Sequence, residues 1–302
     1  MLLRGATFKA PASASNDRRI AMNSVLVERP SVAVEADIEF LLPGEGRPFS
    51  YGGERPIGAE PETTEFERHR VIIEDVRPHS HLSMAANGAT LGHWPTAVRS
   101  FYDDQELRRR YYPEAAEIIK GALRADRVVV FDHNVRRGKT GDPSPDGYPV
   151  GRPVHHAHTD YTPLSAAKRL ERELGTDADA LAGARFMQVN LWRPIRGPLR
   201  DAPLAICDGA TVSRRSLRPA DLRYADRTGE IYYLAHEPAQ RWYFASDMSI
   251  EEAWLFKNFD SATTRGTVTA APHSAFEDRR YLRMVPRESI EVRAFALFLE
   301  HP

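Results

Sequence analysis

The sequence is poor in cysteine, with Cys207 the only one among 302 residues. A lone thiol cannot form an internal disulfide bond, and it excludes any zinc site that needs two or more thiolates. A single unpaired thiol is typical of proteins kept in a reducing compartment. We therefore expect a cytoplasmic protein in which Cys207 is a small core residue.

Long apolar runs are missing as well. A membrane helix needs ~20 apolar residues, and even the uncharged stretch 81–98 is interrupted by Asn, Gly, His and Pro. The start of the chain lacks the apolar block of a secretory signal. We expect a disordered tail over residues 1–30 and a single domain over 31–302. Within that domain we expect an extended arm and helices over 31–126 and a β-rich core over 127–302.

Charge of one sign is not in excess. The 41 Lys and Arg residues are balanced by 42 Asp and Glu residues, which gives a net charge of -1. Proteins that bind nucleic acids usually show a basic excess, and anionic membranes attract basic proteins. We therefore expect neither nucleic acid nor membrane as a partner, and a small molecule as the substrate.

The apolar pattern changes near residue 127. From 95 to 125 apolar residues recur at helical spacing, with Pro113 in the first turn of a second helix. Beyond 127, short apolar segments alternate with turns rich in Gly and Pro, which is typical of a closed antiparallel barrel or jelly roll. The predicted strands are 128–131, 185–192, 203–207, 231–234, 241–244, 254–259, 268–271 and 290–298. One helix interrupts them, with Thr162 as its N-cap and Gly175 after its end.

Three histidines lie close together between His155 and Asp160. In a strand, residues two apart point to the same face, so His158 and Asp160 can present an imidazole and a carboxylate to one point. A third ligand from a distant strand would complete a site of two histidines and one carboxylate. Such a site leaves open positions, which ferrous iron needs to bind a co-substrate and O2. The short motif alone is weak, because it recurs by chance or as a hydrogen-bonded pair.

Three downstream histidines are candidates for the third ligand. His301 lies at the C-terminus, where chains tend to fray, and His236 lies in a predicted turn. His273 follows the predicted strand 268–271, and we take it as the third ligand.

Arg287 and Ser289 stand at the start of the last predicted strand. A guanidinium with a hydroxyl suits the far carboxylate of a dicarboxylic acid, because the planar guanidinium makes two parallel charge-assisted hydrogen bonds. An iron triad with such a clamp describes a site for 2-oxoglutarate.

This motif set resembles that of Fe(II)/2-oxoglutarate-dependent oxygenases. More narrowly, the chain resembles the hydroxylase/desaturase family that includes the fungal AsaB-type enzymes and the cephalosporin 7-alpha-methoxylation accessory protein CmcJ. The most specific matching stretches are QVNLWRP at 188–194, PHSAF at 272–276 and PRESIEVR at 286–293. Matching stretches extend from about Glu35 to Ala294, which is nearly the whole chain beyond the tail.

The resemblance implies a mainly β, double-stranded β-helix fold (jelly-roll, cupin-like) with flanking α-helices. It implies Fe(II), 2-oxoglutarate and O2 as cofactors, with metal ligands His158, Asp160 and His273. The expected reaction is hydroxylation or desaturation of a small molecule in specialised, natural-product metabolism.

Further polar residues are candidates for binding. We take Gln188 and Asn190 as cofactor-binding residues, although they are equally suited to satisfying buried backbone groups. A Gly- and Pro-rich loop over 136–153 precedes the predicted ligands, and loops of this length are often mobile covers. The candidate substrate contacts are Arg136, Arg137, Tyr161, Arg193 and Trp242, with burial in the core as the alternative for Trp242.

Two other functions remain open from the sequence. His156, His158 and Asp160 match the H-x-H-x-D run of metallo-β-lactamase-like zinc hydrolases, in which zinc-bound water is the nucleophile. Tyr161, however, stands where a further histidine is usual, and the α/β pattern of that fold is missing. A non-catalytic, cupin-like accessory or binding protein would keep the barrel without turnover.

Overall fold

The computed structural model describes residues 32–53, 55–79, 82–138, 147–175, 183–262, 266–281 and 284–299. The expected tail over 1–30 lies outside these residues, so the division into tail and domain stays a prediction. The middle of the loop expected to be a cover, residues 139–146, also lies outside them, so that expectation stays a prediction. In the part of the chain that is described, no helix is long and apolar enough to cross a membrane.

A five-stranded antiparallel sheet carries half of the fold. Its order is β4 (Ala89–His93), β12 (Glu252–Asp260), β7 (Arg185–Pro194), β14 (Glu288–Phe298) and β5 (Arg127–Arg137). Alternate residues of β14 point to opposite faces. Ile290 and Val292 pack on the helical layer, whereas Ser289, Glu291 and Arg293 point the other way. One face of this sheet is therefore apolar and the other carries buried polar groups.

A nine-stranded sheet faces it. Its order is β1 (Ala33–Leu41), β3 (Phe66–Asp75), β11 (Trp242–Phe244), β8 (Leu204–Cys207), β13 (His273–Ala275), β6 (His158–Thr159), β10 (Thr228–Leu234), β9 (Leu217–Arg223) and β2 (Phe49–Tyr51). The backbone N–H of Ala157 donates to the carbonyl of Glu39 over 2.8 Å, which joins β1 to the chain just before β6. Residues 33–93, which belong to the region 31–126 expected to hold an extended arm and helices, thus supply four strands.

The two sheets enclose the interior of a jelly roll. Trp192 and Trp254 from the five-stranded sheet pack with Leu204, Ile206 and Tyr243 from the nine-stranded sheet in one apolar cluster. This arrangement of two facing sheets with flanking helices agrees with the predicted jelly-roll fold class. The site residues project into the same interior, close to this cluster.

Helices cover the outer face of the five-stranded sheet. A short α1 (Asp104–Glu106), a π-helical turn (Leu107–Tyr111) and α2 (Tyr112–Leu123) follow one another. Leu107, Tyr111 and Ile119 from this layer are fully buried against the sheet. The helical stretch is shorter than predicted, since residues 95–103 are not helical.

The helix α3 (Pro163–Leu174) follows β6, and its ends agree with the prediction. The Thr162 hydroxyl accepts a hydrogen bond from the backbone N–H of Ser165, and the Ser165 hydroxyl bonds back to Thr162, which forms a capping box. Gly175 ends the helix with a positive φ of 54°, which glycine adopts without strain.

The predicted strand 268–271 is wrong, and the observed strand begins at His273. The preceding segment pairs with one residue of β12 instead. The backbone N–H of Ala271 donates to the carbonyl of Lys257, and Nζ of Lys257 donates to the carbonyl of Val268. Because the buried Lys257 forms hydrogen bonds with the backbone of this segment, the segment does not need to pair with a neighbouring strand.

Candidate active site

Two short neighbouring strands bring three potential metal ligands together. His158 on β6 lies directly opposite His273 on β13 in the antiparallel register. Asp160 follows β6 by one residue. One ligand atom from each of these three residues lies within 4.8 Å of the others, and the ring centroids of the histidines are 4.4 Å apart. The triad predicted from the sequence is therefore assembled in space.

The protonation of the two histidines favours metal binding. Nδ1 of His158 lies 2.8 Å from the carbonyl of His156 and must donate to it, which leaves the Nε2 lone pair free. His273 is buried, and its Nδ1 has no hydrogen-bond partner among the described residues. Burial, with a smaller effect from the neighbouring His158, lowers the pKa of His273 to about 3. A neutral imidazole is the form that binds a metal.

The carboxylate of Asp160 is fixed in orientation. Its Oδ2 accepts hydrogen bonds from Nδ2 of Asn190 over 2.7 Å and from Nε of Arg293 over 2.8 Å. Its backbone N–H donates to Oδ1 of Asn258. The other carboxylate oxygen, Oδ1, is left facing Nε2 of His158 at 3.6 Å. This arrangement presents one oxygen of Asp160 to the centre of the triad.

The charge of Asp160 is set by its surroundings. Burial is the largest single effect and would raise the pKa of this carboxyl, but the adjacent guanidinium of Arg293, together with His158 and His273, outweighs it and holds the pKa well below its usual range. Arg293 also donates to Oε1 of Glu291 over 2.9 Å. Asp160 is therefore ionised at neutral pH and ready to bind a cation.

These donors fit ferrous iron. Two imidazoles and one carboxylate form the ligand set that leaves positions open for small ligands. The buried imidazole of His273 and Oδ1 of Asp160 supply ligand atoms that a metal would bind. In the described part of the chain this is the one group of three or more such side chains with metal-binding geometry.

A narrow pocket adjoins the triad. Arg287, at the start of β14, is 3 % exposed and lies over the ring of Trp192, with 5.0 Å between its guanidinium carbon and the ring centroid. Its Nε donates to Oγ of Ser289 over 2.9 Å, and its Nη1 donates to the carbonyl of Ala202 over 2.7 Å. The pocket is lined by Arg136, Val154, His158, Trp192, Leu204, His273, Ser274, Ala275, Arg287 and Glu291.

Gln188 and Asn190 do not line this pocket. The Gln188 amide donates to Oδ1 of Asn190 over 3.0 Å, and Asn190 in turn donates to Asp160. Both side chains are fully buried on the inner face of β7. Their position supports the orientation of Asp160 rather than contact with a co-substrate.

The candidate substrate residues are dispersed. Arg136 lines the pocket, whereas its neighbour Arg137 lies 3.8 Å from the carboxylate of Glu288 and does not line it. Tyr161 packs its ring against Phe131, at a centroid distance of 6.3 Å, and is not part of the lining.

The other two candidate substrate residues face away from the pocket. Arg193 is fully buried on the outer face of β7, where its guanidinium lies over the ring of Tyr111. Trp242 packs against Phe40 in a separate apolar cluster, and the next residue, Tyr243, faces the interior instead. Neither side chain points toward the pocket. Each lies at a strand position whose side chain faces the other side of the sheet.

The alternative histidines lie elsewhere. His156 bonds Oε2 of Glu39 and stacks on the ring of Phe66, and His236 stacks on His69. The H-x-H-x-D run of a zinc hydrolase is therefore not assembled. His301 lies outside the described residues.

The positions of three buried residues beside Asp160 and the pocket were not predicted from the sequence. Glu291 and Arg293 continue the alternation that begins with Arg287 and Ser289. Polar side chains at every second position of an otherwise apolar strand indicate a polar interior face, and this signal could have revealed both residues. Asn258 stands at an irregularity in the pairing of β12 with β7, between Lys257 and Phe259. Bulges of this kind redirect a side chain toward a site, but the sequence does not display them.

Comparison with known proteins agrees with this geometry. Residues 38–297 match a family model described as an oxidoreductase/YMDC permease-like domain. The chain is 33% identical over 234 residues to the Fe(II)/2-oxoglutarate-dependent dioxygenase nvfI of Aspergillus novofumigatus, covering 74% of this chain and 82% of that protein. It is 29% identical over 315 residues to the hydroxylase/desaturase CTB9 of Cercospora beticola, covering 96% and 93%.

A solved structure shows the same likeness. The iron and alpha-ketoglutarate-dependent endoperoxidase NvfI superposes with a TM-score of 0.79 at 25% identity, over 89% of this chain and 99% of that one. These relatives imply Fe(II), 2-oxoglutarate and O2 as cofactors, as predicted. The chain belongs to the Fe(II)/2-oxoglutarate-dependent dioxygenases, within the family whose members are named hydroxylase/desaturase.

Proposed function

We propose that His158, Asp160 and His273 hold the iron of this dioxygenase. Arg287, with Ser289, holds the distal carboxylate of 2-oxoglutarate. The observation that carries the proposal is the shared pocket, whose wall contains His158 and His273 as well as the buried Arg287. The enzyme uses this site to hydroxylate or desaturate a small molecule in specialised metabolism.

The chain's own residues prepare the site before any ligand arrives. Arg293 and the neighbouring histidines hold Asp160 ionised, and burial keeps His273 neutral, so neither of these two residues has to lose a proton to bind a metal at neutral pH. Arg287 is held in one orientation by Ser289, Ala202 and Trp192. Iron, when bound, couples the oxidative decarboxylation of 2-oxoglutarate by O2 to the removal of hydrogen from a substrate C–H bond.

The walls of the pocket limit competing reactions. Trp192, Leu204 and Val154 give it apolar surfaces beside its charged groups. Apolar walls exclude water and strengthen the electrostatic contacts of the bound dicarboxylate.

Partners and location follow from the composition. A net charge of -1 gives no general attraction to nucleic acids or anionic membranes, so the partner is a small-molecule substrate. Cys207 is buried and unpaired, which is compatible with a reducing compartment. A cytoplasmic location therefore remains our proposal.

Succinate formation tests the proposed activity. The purified protein with Fe(II), 2-oxoglutarate and O2 should produce succinate slowly, and faster once its substrate is added. His158→Ala and His273→Ala should abolish this turnover, whereas His156→Ala should keep it. An iron-loaded protein that forms no succinate under any of these conditions would contradict the proposal.

A further inference from the structure

Two arginines, from neighbouring strands, line the pocket beside the triad. Arg287 stands at the start of β14, and Arg136 lies on β5, opposite Ser289 in the sheet register. Among the described residues, no carboxylate forms an ion pair with either guanidinium. The single acidic residue in the lining, Glu291, accepts a hydrogen bond from Arg293 instead.

Within the part of the chain that the structure describes, these two positive charges of the pocket therefore have no carboxylate in a direct ion pair with them. Burial of a charge is costly unless an opposite charge compensates for it. Burial first, and the like charge of Arg136 second, lower the pKa of Arg287 to about 9, which still leaves it charged at neutral pH. Burial also lowers the pKa of Arg136. A negatively charged ligand would relieve both arginines.

Neutral acceptors hold both guanidinium groups in place. Nη1 of Arg136 donates to the carbonyl of Arg152 over 2.6 Å, next to the bridge that pairs Arg136 with Gly151. Arg287 donates to Ser289 and to the carbonyl of Ala202. These bonds fix the side chains without neutralising them. In the described part of the chain, Nη2 of each arginine has no hydrogen-bond partner, so both retain a donor for a ligand.

We infer that Arg136 is a second cation for the distal carboxylate of 2-oxoglutarate, which is held between Arg136 and Arg287. The inference rests on the proposed function, and it moves Arg136 from the substrate to the co-substrate. Arg287 with Ser289 supplies one side of the carboxylate, and Arg136 supplies the other. Two arginines at one carboxylate make the pocket selective for 2-oxo acids that carry a second negative charge.

Anaerobic binding of two 2-oxo acids to the Fe(II)-loaded protein tests this assignment. The probes are 2-oxoglutarate and 2-oxopentanoate, which has the same carbon chain and 2-oxo acid group but no distal carboxylate. The variant is Arg136→Met. The matched control is Arg137→Met, which removes a guanidinium from the adjacent position that does not line the pocket.

Loss of a charge-assisted contact should weaken 2-oxoglutarate binding to Arg136→Met about 10- to 100-fold. Binding of 2-oxopentanoate should stay almost unchanged, and Arg137→Met should behave as the wild type with both acids. Arg136→Lys, which keeps the charge but loses the planar fork, should lie between wild type and Arg136→Met. Retained 2-oxopentanoate binding also shows that the site of each variant is intact.

Two results would overturn the assignment. Unchanged 2-oxoglutarate binding in Arg136→Met would show that Arg287 acts alone. An equal loss for both acids would show that Arg136 supports the pocket structurally. Failure of the proposed function looks different, because the wild-type protein with Fe(II) would then bind neither 2-oxo acid.

Discussion

The orientation of Asp160 offers a sharp prediction, because a neutral side chain controls it. Asn190→Leu removes the 2.7 Å hydrogen bond to Oδ2 of Asp160 without changing any charge, and it keeps a side chain that branches at Cγ. Among the described residues, Arg293 then remains as the side-chain donor to that oxygen. We expect iron affinity to fall about 10- to 100-fold, the usual cost of losing a group that orients a metal ligand.

The same substitution has a second, separable cost. The buried Gln188 amide donates to Oδ1 of Asn190, and its own Oε1 already lacks a partner in the described part of the chain. The amide then keeps only its 3.3 Å hydrogen bond to the carbonyl of Val189, and loss of the shorter bond should lower the free energy of unfolding by about 1–3 kcal/mol. The double variant Gln188→Leu/Asn190→Leu removes this amide altogether. Its free energy of unfolding should therefore return toward the wild-type value, whereas its iron affinity should stay low.

Anaerobic Fe(II) titration and urea unfolding measure these two effects independently. Gln188→Leu alone is the control, because it keeps the bond between Asn190 and Asp160. It should bind iron nearly as the wild type does. The reasoning fails if Asn190→Leu binds iron as tightly as the wild type, or if Gln188→Leu loses as much iron affinity as Asn190→Leu.

Three further predictions concern the clamp, the charge of Asp160 and the helix α3. Arg287→Met should raise the apparent KM for 2-oxoglutarate by roughly 30- to 1,000-fold, because a charge-assisted bidentate contact contributes ~2–4 kcal/mol. The Fe(II) affinity should stay nearly unchanged. An unchanged KM would contradict the role of Arg287 as the clamp. Arg293→Gln should allow the pKa of Asp160 to rise, so that protons compete with iron and Fe(II) binding is lost at a higher pH than in the wild type; coincident pH profiles would contradict this role. Thr162→Ala should lower the free energy of unfolding by about 1 kcal/mol through loss of the capping bond, with urea unfolding as the measurement and an unchanged midpoint as the contrary result.

The direction of the pH shift expected for Arg293→Gln follows from the pKa of Asp160 in the folded protein. The folded-state pKa of Asp160 is depressed, so its charge contributes stability above the unfolded pKa. That contribution is lost as the pH falls through the folded value. When Arg293 is removed, the folded value moves up, and the loss begins at a higher pH.

Much of the site was accessible from the sequence because its chemistry lies in short motifs. His158 and Asp160 are two residues apart, and strand geometry then places them on one face. Arg287 and Ser289 follow the same spacing. His273 was chosen among three histidines by its place after a predicted strand, although the strand at 268–271 is absent and His273 itself begins β13.

Other features could not be predicted because they depend on tertiary pairing. The side chains of Trp242 and Arg193 point away from the interior, whereas the residues next to them on their strands point into it. The alternation of polar and apolar residues in the sequence did not show which positions face the interior. The position of Asn258 beside Asp160 depends on an irregular pairing of β12 with β7. Sequence pattern alone does not specify such an irregularity.

The extended arm expected within residues 31–126 shows the same limit. The sequence did not indicate strands in this part of the chain, yet Ala33–Leu41 pairs with Phe66–Asp75 over nine residues. Val34, Ala36, Ile38 and Phe40 alternate into an apolar cluster with Trp242. Strand partners more than twenty residues away supply the ladder that local composition does not indicate.

Metal binding by ligand variants tests the central claim most directly. In an anaerobic Fe(II) titration the wild-type protein should bind one iron per chain, and His158→Ala and His273→Ala should show no comparable site. His156→Ala is the matched control, because this neighbouring imidazole bonds Glu39 and stacks on Phe66. It should bind iron as the wild type does. Loss of iron in His156→Ala together with retention in His158→Ala would contradict the assignment of the metal site.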